Sequence, residues 1–138
     1  RPILVAPPTP PTTIGRNIVI GWNGGTETAR AIALGKFLLR EAEKVTVLAV
    51  EGGMVPGPSA EDVITNLRRD AVEAELKVIP GRRSAAEAGK IILEQAYELG
   101  ADLVIKGGYT QSRLRQMIFG GATAAILANA EVPVLMAH

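Results

Sequence analysis

The sequence predicts an α/β fold in which one parallel β-sheet is covered by helices on both faces. Short β-branched runs alternate along the chain with longer segments of helical periodicity. The runs are apolar almost without interruption, which is typical of strands buried on both faces of a parallel sheet. We expect one domain, because 138 residues with 47% hydrophobic side chains can build a single compact core.

Two strand–helix units make up the first half of the predicted domain. Asn17–Trp22 is the first strand, and a glycine turn separates it from a helical pattern that begins at Thr26. Lys44–Val50 is the second strand, and a loop rich in glycine and proline follows it. Ser59 is the predicted N-cap of a helix over about residues 60–73.

The third unit has the clearest helix signals of the chain. Residues 75–80 alternate in polarity and end at a Pro-Gly pair, which indicates a strand near a sheet edge. Ser84 and Glu87 have the spacing of a capping box, in which each side chain accepts from the other residue's exposed N–H. Gly100 is expected to end this helix.

The remaining strands complete the sheet and define where a ligand should bind. Residues 102–106 are the fourth strand, and a last helix running to about residue 129 precedes the fifth strand, residues 132–136. Ligands of such sheets bind beyond the carboxyl ends of the strands, where the strand order reverses. The expected crevice therefore lies between the turns at residues 23–25 and 107–110.

Paired glycines near this crevice predict a phosphate site. Gly107 and Gly108 let the backbone approach a ligand closely, with bare N–H groups. Gly120 and Gly121 interrupt a helical pattern, where each costs about 1 kcal/mol relative to alanine. A helix that starts there would present three unpaired N–H groups to an anion, those of Gly121, Ala122 and Thr123. The alternative is that this pair only permits close packing of helix on sheet.

Polar side chains near the same turns are further candidates. Arg113, Arg115 and Lys106 could reach phosphate oxygens, although solvated surface charge is the alternative role for at least one of them. Asn23 could hydrogen-bond a ribose or a base edge, but Asn-Gly-Gly is also an ordinary turn sequence.

Composition excludes several classes of function. With 15 basic and 14 acidic residues, the chain has no one-signed field that would attract nucleic acid or an anionic membrane. Cysteine is absent, so any metal would need oxygen ligands, and a reducing, cytoplasmic location is expected. The only histidine is His138, and neither a P-loop nor a Gly-x-Gly-x-x-Gly motif occurs. We therefore predict a protein that is not an enzyme.

The first 15 residues stand apart from the predicted domain, which covers residues 16–138. They comprise an apolar segment and a proline-rich linker. Residues 2–6, Pro-Ile-Leu-Val-Ala, match residues 133–137, Pro-Val-Leu-Met-Ala, as if the segment were the last strand of a preceding copy of the domain. The alternative is an apolar tail that lies on the core.

Several stretches resemble the universal stress protein (UspA) family. They are Val-Ile-Gly-Trp-Asn-Gly-Gly-Thr-Glu at residues 19–27, Ala-Asp-Leu-Val-Ile-Lys-Gly-Gly-Tyr at residues 101–109, and the later Phe-Gly-Gly-Ala-Thr and Val-Pro-Val-Leu-Met-Ala. The resemblance covers about residues 16–138. It implies a single Rossmann-like domain with a five-stranded parallel sheet of order 3-2-1-4-5, and dimerisation through the fifth strand. Many family members are tandem proteins, and this chain resembles a second domain.

One branch of that family binds ATP through Gly-x-x-Gly-x9-Gly-[Ser/Thr]. On this sequence the four motif positions fall on Gly107, Thr110, Gly120 and Gly121, so that two of them depart. Thr110 adds a Cβ, and Gly121 lacks the hydroxyl while keeping its N–H, so the resemblance implies a weakened phosphate grip.

The resemblance also implies where the nucleoside would lie. The family's acidic residue after the first strand falls on Asn23, which removes a charge while keeping an acceptor. Adenine would lie near the end of the second strand, at Ala49 and Val50. The predicted nucleotide site comprises Asn23, Gly24, Ala49, Val50, Gly107, Gly108, Thr110, Arg113, Gly120, Gly121, Ala122 and Thr123.

The predicted function is a non-catalytic stress-response module that binds ATP or a related adenine nucleotide, with Mg²⁺ only alongside the nucleotide. The alternative is a ligand-free dimerisation or interaction module with a degenerate site, which pairs with a second copy or a tandem domain through an exposed fifth strand, residues 132–136. A slow nucleotide hydrolase is the third hypothesis, and the missing P-loop and base disfavour it.

Overall fold

The computed structural model describes residues 1–82, 84–108, 126 and 128–137, and these form a six-stranded sheet with helices packed against it. The elements are β1 (Ile3–Val5), β2 (Asn17–Trp22), α1 (Thr26–Leu34), α2 (Lys36–Glu41), β3 (Lys44–Val50), α3 (Ala60–Arg69), β4 (Glu75–Ile79), α4 (Ala85–Glu98), β5 (Leu103–Gly107) and β6 (Val134–Ala137). In the described part of the chain, the helices are all too short or too polar to cross a membrane.

The sheet is mostly parallel, which confirms the predicted α/β class. Its strand order is β1-β6-β5-β2-β3-β4. The five strands from β2 through β6 all run parallel to their neighbours among these five, and β1 runs antiparallel to β6. The expected sheet of five strands in the order 3-2-1-4-5 is therefore wrong as a description of the whole sheet. The difference arises at the edge, where the N-terminal segment adds a sixth strand.

The added strand covers the outer edge of β6. Ile3 pairs with Met136 and Val5 with Val134, on either side of the Leu4–Leu135 pair. The fifth strand of the prediction is β6, and the prediction that it is an exposed edge is wrong. The backbone groups on the outer side of β6 already hydrogen-bond to β1. The exposed edge next to β6 belongs to β1 instead.

Side-chain alternation along the strands builds two hydrophobic clusters, one on each face of the sheet. Ile18 and Ile20 of β2 enter the cluster that also contains Ala31 of α1, whereas Val19 enters the cluster that contains Ile92 of α4. The three β2 side chains are fully buried. Burial on both faces explains why the strand sequences are continuously apolar.

The helix caps follow the sequence closely, but two helix bodies do not. Both Ser59 and Ser84 form capping boxes. The first predicted helix is divided at Gly35, where an added Cβ would lie 2.9 Å from Leu135 Cδ2 of β6. The second predicted helix ends at Arg69, four residues before its expected end.

Asp102 ties the linker to the start of β5, at the edge opposite to the expected crevice. Its carboxylate accepts hydrogen bonds from the backbone N–H groups of Gly15 (3.0 Å), Arg16 (3.1 Å) and Asn17 (2.9 Å). Burial works to raise the pKa of this carboxyl, but the hydrogen bonds from these N–H groups and from the Thr13 side chain outweigh it and lower the pKa. Asp102 is thus a structural residue.

Candidate functional site

The strand order reverses between β2 and β5. From β2 the chain proceeds outward to β3 and β4, and then crosses back to β5 on the other side of β2. The carboxyl ends of these parallel strands lie at one edge of the sheet, and the turn after β2 and the start of α1 lie at the same edge. This edge is the expected ligand crevice of an open α/β sheet.

A chain of hydrogen bonds joins the two strand ends at this edge. The Thr28 hydroxyl donates to Asn23 Oδ1 at 2.8 Å and accepts from the backbone N–H of Gly107 at 3.1 Å. The N–H of Gly25 donates to the same Asn23 oxygen at 3.1 Å. Thr28 therefore links the Asn23 turn and the start of α1 to the end of β5.

These bonds decide what Asn23 can offer a ligand. The Gly25 N–H can only donate, so the side-chain atom that faces it must be the oxygen rather than the amide nitrogen. The Asn23 oxygen, the acceptor expected for a nucleoside, already accepts from two donors within the protein, and a contact of Asn23 with a nucleoside stays a prediction. The group left for a ligand is the Nδ2 amide, which is a donor.

Gly107 is buried, and the N–H groups of both Gly107 and Gly108 have partners within the protein. A Cβ on Gly107 would lie 2.7 Å from both N and Oγ1 of Thr28, so α1 needs this residue to be glycine. The N–H of Gly107 donates to Thr28, and that of Gly108 donates to the Ala137 carbonyl at 2.8 Å. The expectation of bare N–H groups at these glycines is wrong, although their membership of the site stays a prediction.

The loop after β3 packs on the turn after β2. The Val55 N–H donates to the Asn23 carbonyl at 2.8 Å, and the Trp22 indole N–H donates to the Pro58 carbonyl at 3.1 Å. Gly24 has a φ of +83°, and a Cβ there would collide with the Val55 carbonyl oxygen. Gly24 is accordingly required by this close backbone contact, whether or not a ligand binds beside it.

Ala49 and Val50 end β3 next to this loop. Their side chains are buried on opposite faces of the sheet, in the two hydrophobic clusters. Any adenine contact of these two residues would therefore use backbone atoms rather than side chains.

Lys106 is buried at the end of β5. Only 5% of the residue is exposed, so the alternative of solvated surface charge is wrong for it. Its Nζ lies 3.4 Å from the Gly107 carbonyl oxygen. Burial lowers the pKa of the ammonium from 10.5 to about 8, and the charge of Glu27 in the first turn of α1 partly opposes that change.

The N-terminus of α1 adds partial positive charge at the same edge. Its N-cap is Gly25, which has no side chain to accept from the first-turn N–H groups. The backbone N of Thr28 lies against Gly107, which places this helix end beside the end of β5. Of the residues in this part of the site, sequence reasoning missed Thr28. Its signal is a hydroxyl in the first turn of a helix that directly follows Asn-Gly-Gly.

Half of the predicted site residues lie outside the described residues. They are Thr110, Arg113, Gly120, Gly121, Ala122 and Thr123, and Arg115 lies outside as well. The predicted helix break at Gly120 and Gly121 therefore stays a prediction. Within the ranges that the structure does describe, His, Asp and Glu side chains form no group of three or more that could hold a metal ion.

The sheet and its helices define an open α/β protein whose strand order reverses between β2 and β5. The model of the universal stress protein family matches residues 16–138 of this chain. The chain belongs to that family.

Three known proteins illustrate the similarity. The stress response protein NhaX of Bacillus subtilis (strain 168) is 29% identical over an alignment of 103 residues, and the match covers 63% of this chain and 62% of NhaX. A universal stress protein from Archaeoglobus fulgidus DSM 4304 superimposes with a TM-score of 0.69 at 16% identity, over 88% of this chain and 43% of that one. A universal stress protein from Archaeoglobus fulgidus in complex with dAMP gives a TM-score of 0.58 at 19% identity, over 88% and 97% of the two chains.

These similarities carry different weights. The structural matches show the shared fold, because their sequence identities are low. The chain spans less than two thirds of the length of NhaX and less than half of the first Archaeoglobus protein.

Proposed function

We propose that this chain is a non-catalytic module that binds an adenine nucleotide of the ATP class. The observation that carries the proposal is the meeting of three features at one strand-order reversal. These are the Asn23 turn, the N-terminus of α1 and the buried ammonium of Lys106. Helix N-termini and ammonium groups both favour phosphate. Family membership and the dAMP complex of a protein with the same fold support adenine as the base.

In this proposal, the two sides of the crevice contact different parts of the nucleotide. The Asn23 amide donates to an acceptor atom of the ribose or base, and the backbone at Ala49 and Val50 borders the adenine. Gly24 contributes as the support of the loop that closes this side. Mg²⁺ would enter only with the phosphates.

The remaining predicted contacts belong to the phosphate side of the crevice. They are proposed for Gly107, Gly108, Thr110, Arg113, Gly120, Gly121, Ala122 and Thr123.

Calorimetric titration with ATP and Mg²⁺ tests this function. We expect a saturable heat and a higher melting temperature with ATP, and weaker effects with CTP and UTP as base controls. Absence of heat and of protection at millimolar ATP would contradict the proposal. Phosphate release no faster than from Gly107→Arg and Gly120→Arg variants would remove the third hypothesis, slow hydrolysis.

A second proposal concerns the N-terminal segment, and it rests on the register of β1 against β6. Residues 2–6 match residues 133–137, so Ile3 is the counterpart of Val134 and Val5 of Met136. In the sheet Ile3 pairs with Met136, and Val5 with Val134. Replacing both members of the Ile3–Met136 pair by their counterparts therefore gives the Val134–Val5 pair, as in a two-fold symmetric contact centred on Leu4 and Leu135.

We propose from this register that β1 takes the place of the last strand of a second domain, either a preceding tandem domain or another copy of this one. Removal of residues 1–6 would free the outer edge of β6. We expect sedimentation to show a dimer of the shortened chain at micromolar concentration and a monomer of the longer one. A monomeric shortened chain that remains folded would contradict this second proposal.

A further inference from the structure

Lys106 points to the face of the sheet on which α4 packs. Directly paired residues of neighbouring parallel strands share a face, and Lys106 pairs with Gly21 of β2 and with Met136 of β6. A Cβ on Gly21 would lie 3.1 Å from Ile92 of α4, which identifies that face. The lysine stem therefore starts within an apolar cluster.

The far end of the side chain reaches toward the crevice edge. Nζ lies 3.4 Å from the carbonyl oxygen of Gly107, the last residue of β5, and the charge of Glu27 in the first turn of α1 acts on it. Gly107 and Glu27 both lie at the carboxyl end of the sheet, where α1 begins.

The ammonium is poorly satisfied by the residues that the structure describes. It has three N–H donors, and among those residues its one hydrogen-bond partner is the distant Gly107 carbonyl. Burying a charge with so few partners is unfavourable unless an opposite charge meets it. The negative charge of Glu27 offsets this cost only in part, because the effect of burial is larger than that of Glu27 and lowers the pKa of Lys106 to about 8.

We propose that Lys106 is the anion-recognising group of the crevice, which donates to a phosphate of the bound nucleotide and selects nucleoside phosphates over nucleosides. This inference rests on the proposed function and adds to it the part of the ligand that this chain recognises by charge. A phosphate would give the ammonium the counter-charge and acceptors that the described residues do not supply. It would also lie near the N-terminus of α1, whose partial positive charge acts in the same direction.

The test compares Lys106→Met with Lys90→Met, which removes the same charge from an exposed position on α4. Methionine keeps the stem length and removes the charge, so Lys106→Met should fold and melt no lower than the original chain. Calorimetric titrations would use ATP, adenosine and inorganic pyrophosphate as separate ligands. We expect Lys106→Met to bind ATP and pyrophosphate about 10- to 100-fold more weakly, the range for loss of one hydrogen bond to a charged group. Adenosine should bind both variants equally.

The outcomes separate this inference from the proposed function. ATP affinity of Lys106→Met within twofold of the original chain would overturn the role of Lys106 and leave nucleotide binding intact. Pyrophosphate binding that depends on Lys106, without any preference for ATP over pyrophosphate, would support the anion site and contradict the nucleotide proposal. No binding of any of the three ligands by the original chain would overturn both.

Discussion

Replacing Lys106 by methionine should stabilise the ligand-free protein at neutral pH. A pKa of about 8 instead of 10.5 means that the folded state holds the lysine proton less tightly than the unfolded chain does. At about 1.4 kcal/mol for each pKa unit, the charged ammonium costs the folded state about 3 kcal/mol. Methionine removes that cost and fills the same apolar surroundings, so Lys106→Met should gain up to this amount.

The lowered pKa of Lys106 also makes the stability of the chain depend on pH. Between about pH 8 and 10.5 the unfolded chain binds more protons at Lys106 than the folded chain does, so stability rises with pH in that window. Lys106→Met lacks this rise, and its advantage should shrink toward zero near pH 10.5. Comparing Lys106→Met with the original chain isolates this contribution, because the two proteins differ only at residue 106.

Urea unfolding of the original chain, Lys106→Met and Lys90→Met at pH 7 and pH 10 measures these differences. We expect Lys90→Met to match the original chain within about 0.5 kcal/mol at both pH values, as is usual for a surface substitution. A Lys106→Met variant that is no more stable than the original chain at pH 7, with a gap that does not change by pH 10, would refute the argument.

Three further substitutions test the contacts around the crevice and the linker. Asn23→Ala should lower the free energy of unfolding by about 1–3 kcal/mol, because it leaves the Gly25 N–H and the Thr28 hydroxyl without their acceptor. Asn23→Asp keeps an acceptor and should lower the free energy of unfolding by less, as urea unfolding of both variants at neutral pH would measure. Gly107→Ala should cost about 1–3 kcal/mol in the same assay, since the new Cβ meets a helix backbone, and an unchanged midpoint would show that α1 can move away. Asp102→Asn should destabilise the chain at pH 7. The gap should narrow as the pH falls from 3.8 toward the lowered pKa of Asp102, so a gap that stays constant below pH 3.8 would contradict the assigned hydrogen bonds.

Local sequence signals predicted the elements that depend on neighbouring residues. The serine caps at Ser59 and Ser84 are confirmed because capping bonds span only three residues. The strands β2 and β3 match their expected bounds because apolar runs flanked by turns mark them clearly. The pairing of β1 with β6 was beyond such reasoning, since it joins residues more than 100 positions apart and depends on an available sheet edge.

The candidate site was predictable in place but not in detail. The turn at Asn23 and the end of β5 meet as expected from the strand–helix alternation. Which atom of Asn23 faces inward depends on Thr28 and Gly25, and spacing does not reveal a hydrogen-bond direction. The burial of Lys106 was equally hidden, because a lysine at a strand end is solvated in most proteins.

An NMR titration of the ¹⁵N-labelled chain with ATP and Mg²⁺ reports binding and its location together, and so tests whether the crevice holds a nucleotide. We expect the largest amide shifts at residues 23–28 and 106–108, with adenosine moving residues 106–108 less than ATP does. An unchanged spectrum at millimolar ATP would contradict a nucleotide site in the crevice. Shifts confined to the cleft that Tyr97 and Val132 line near the end of α4 would contradict it as well.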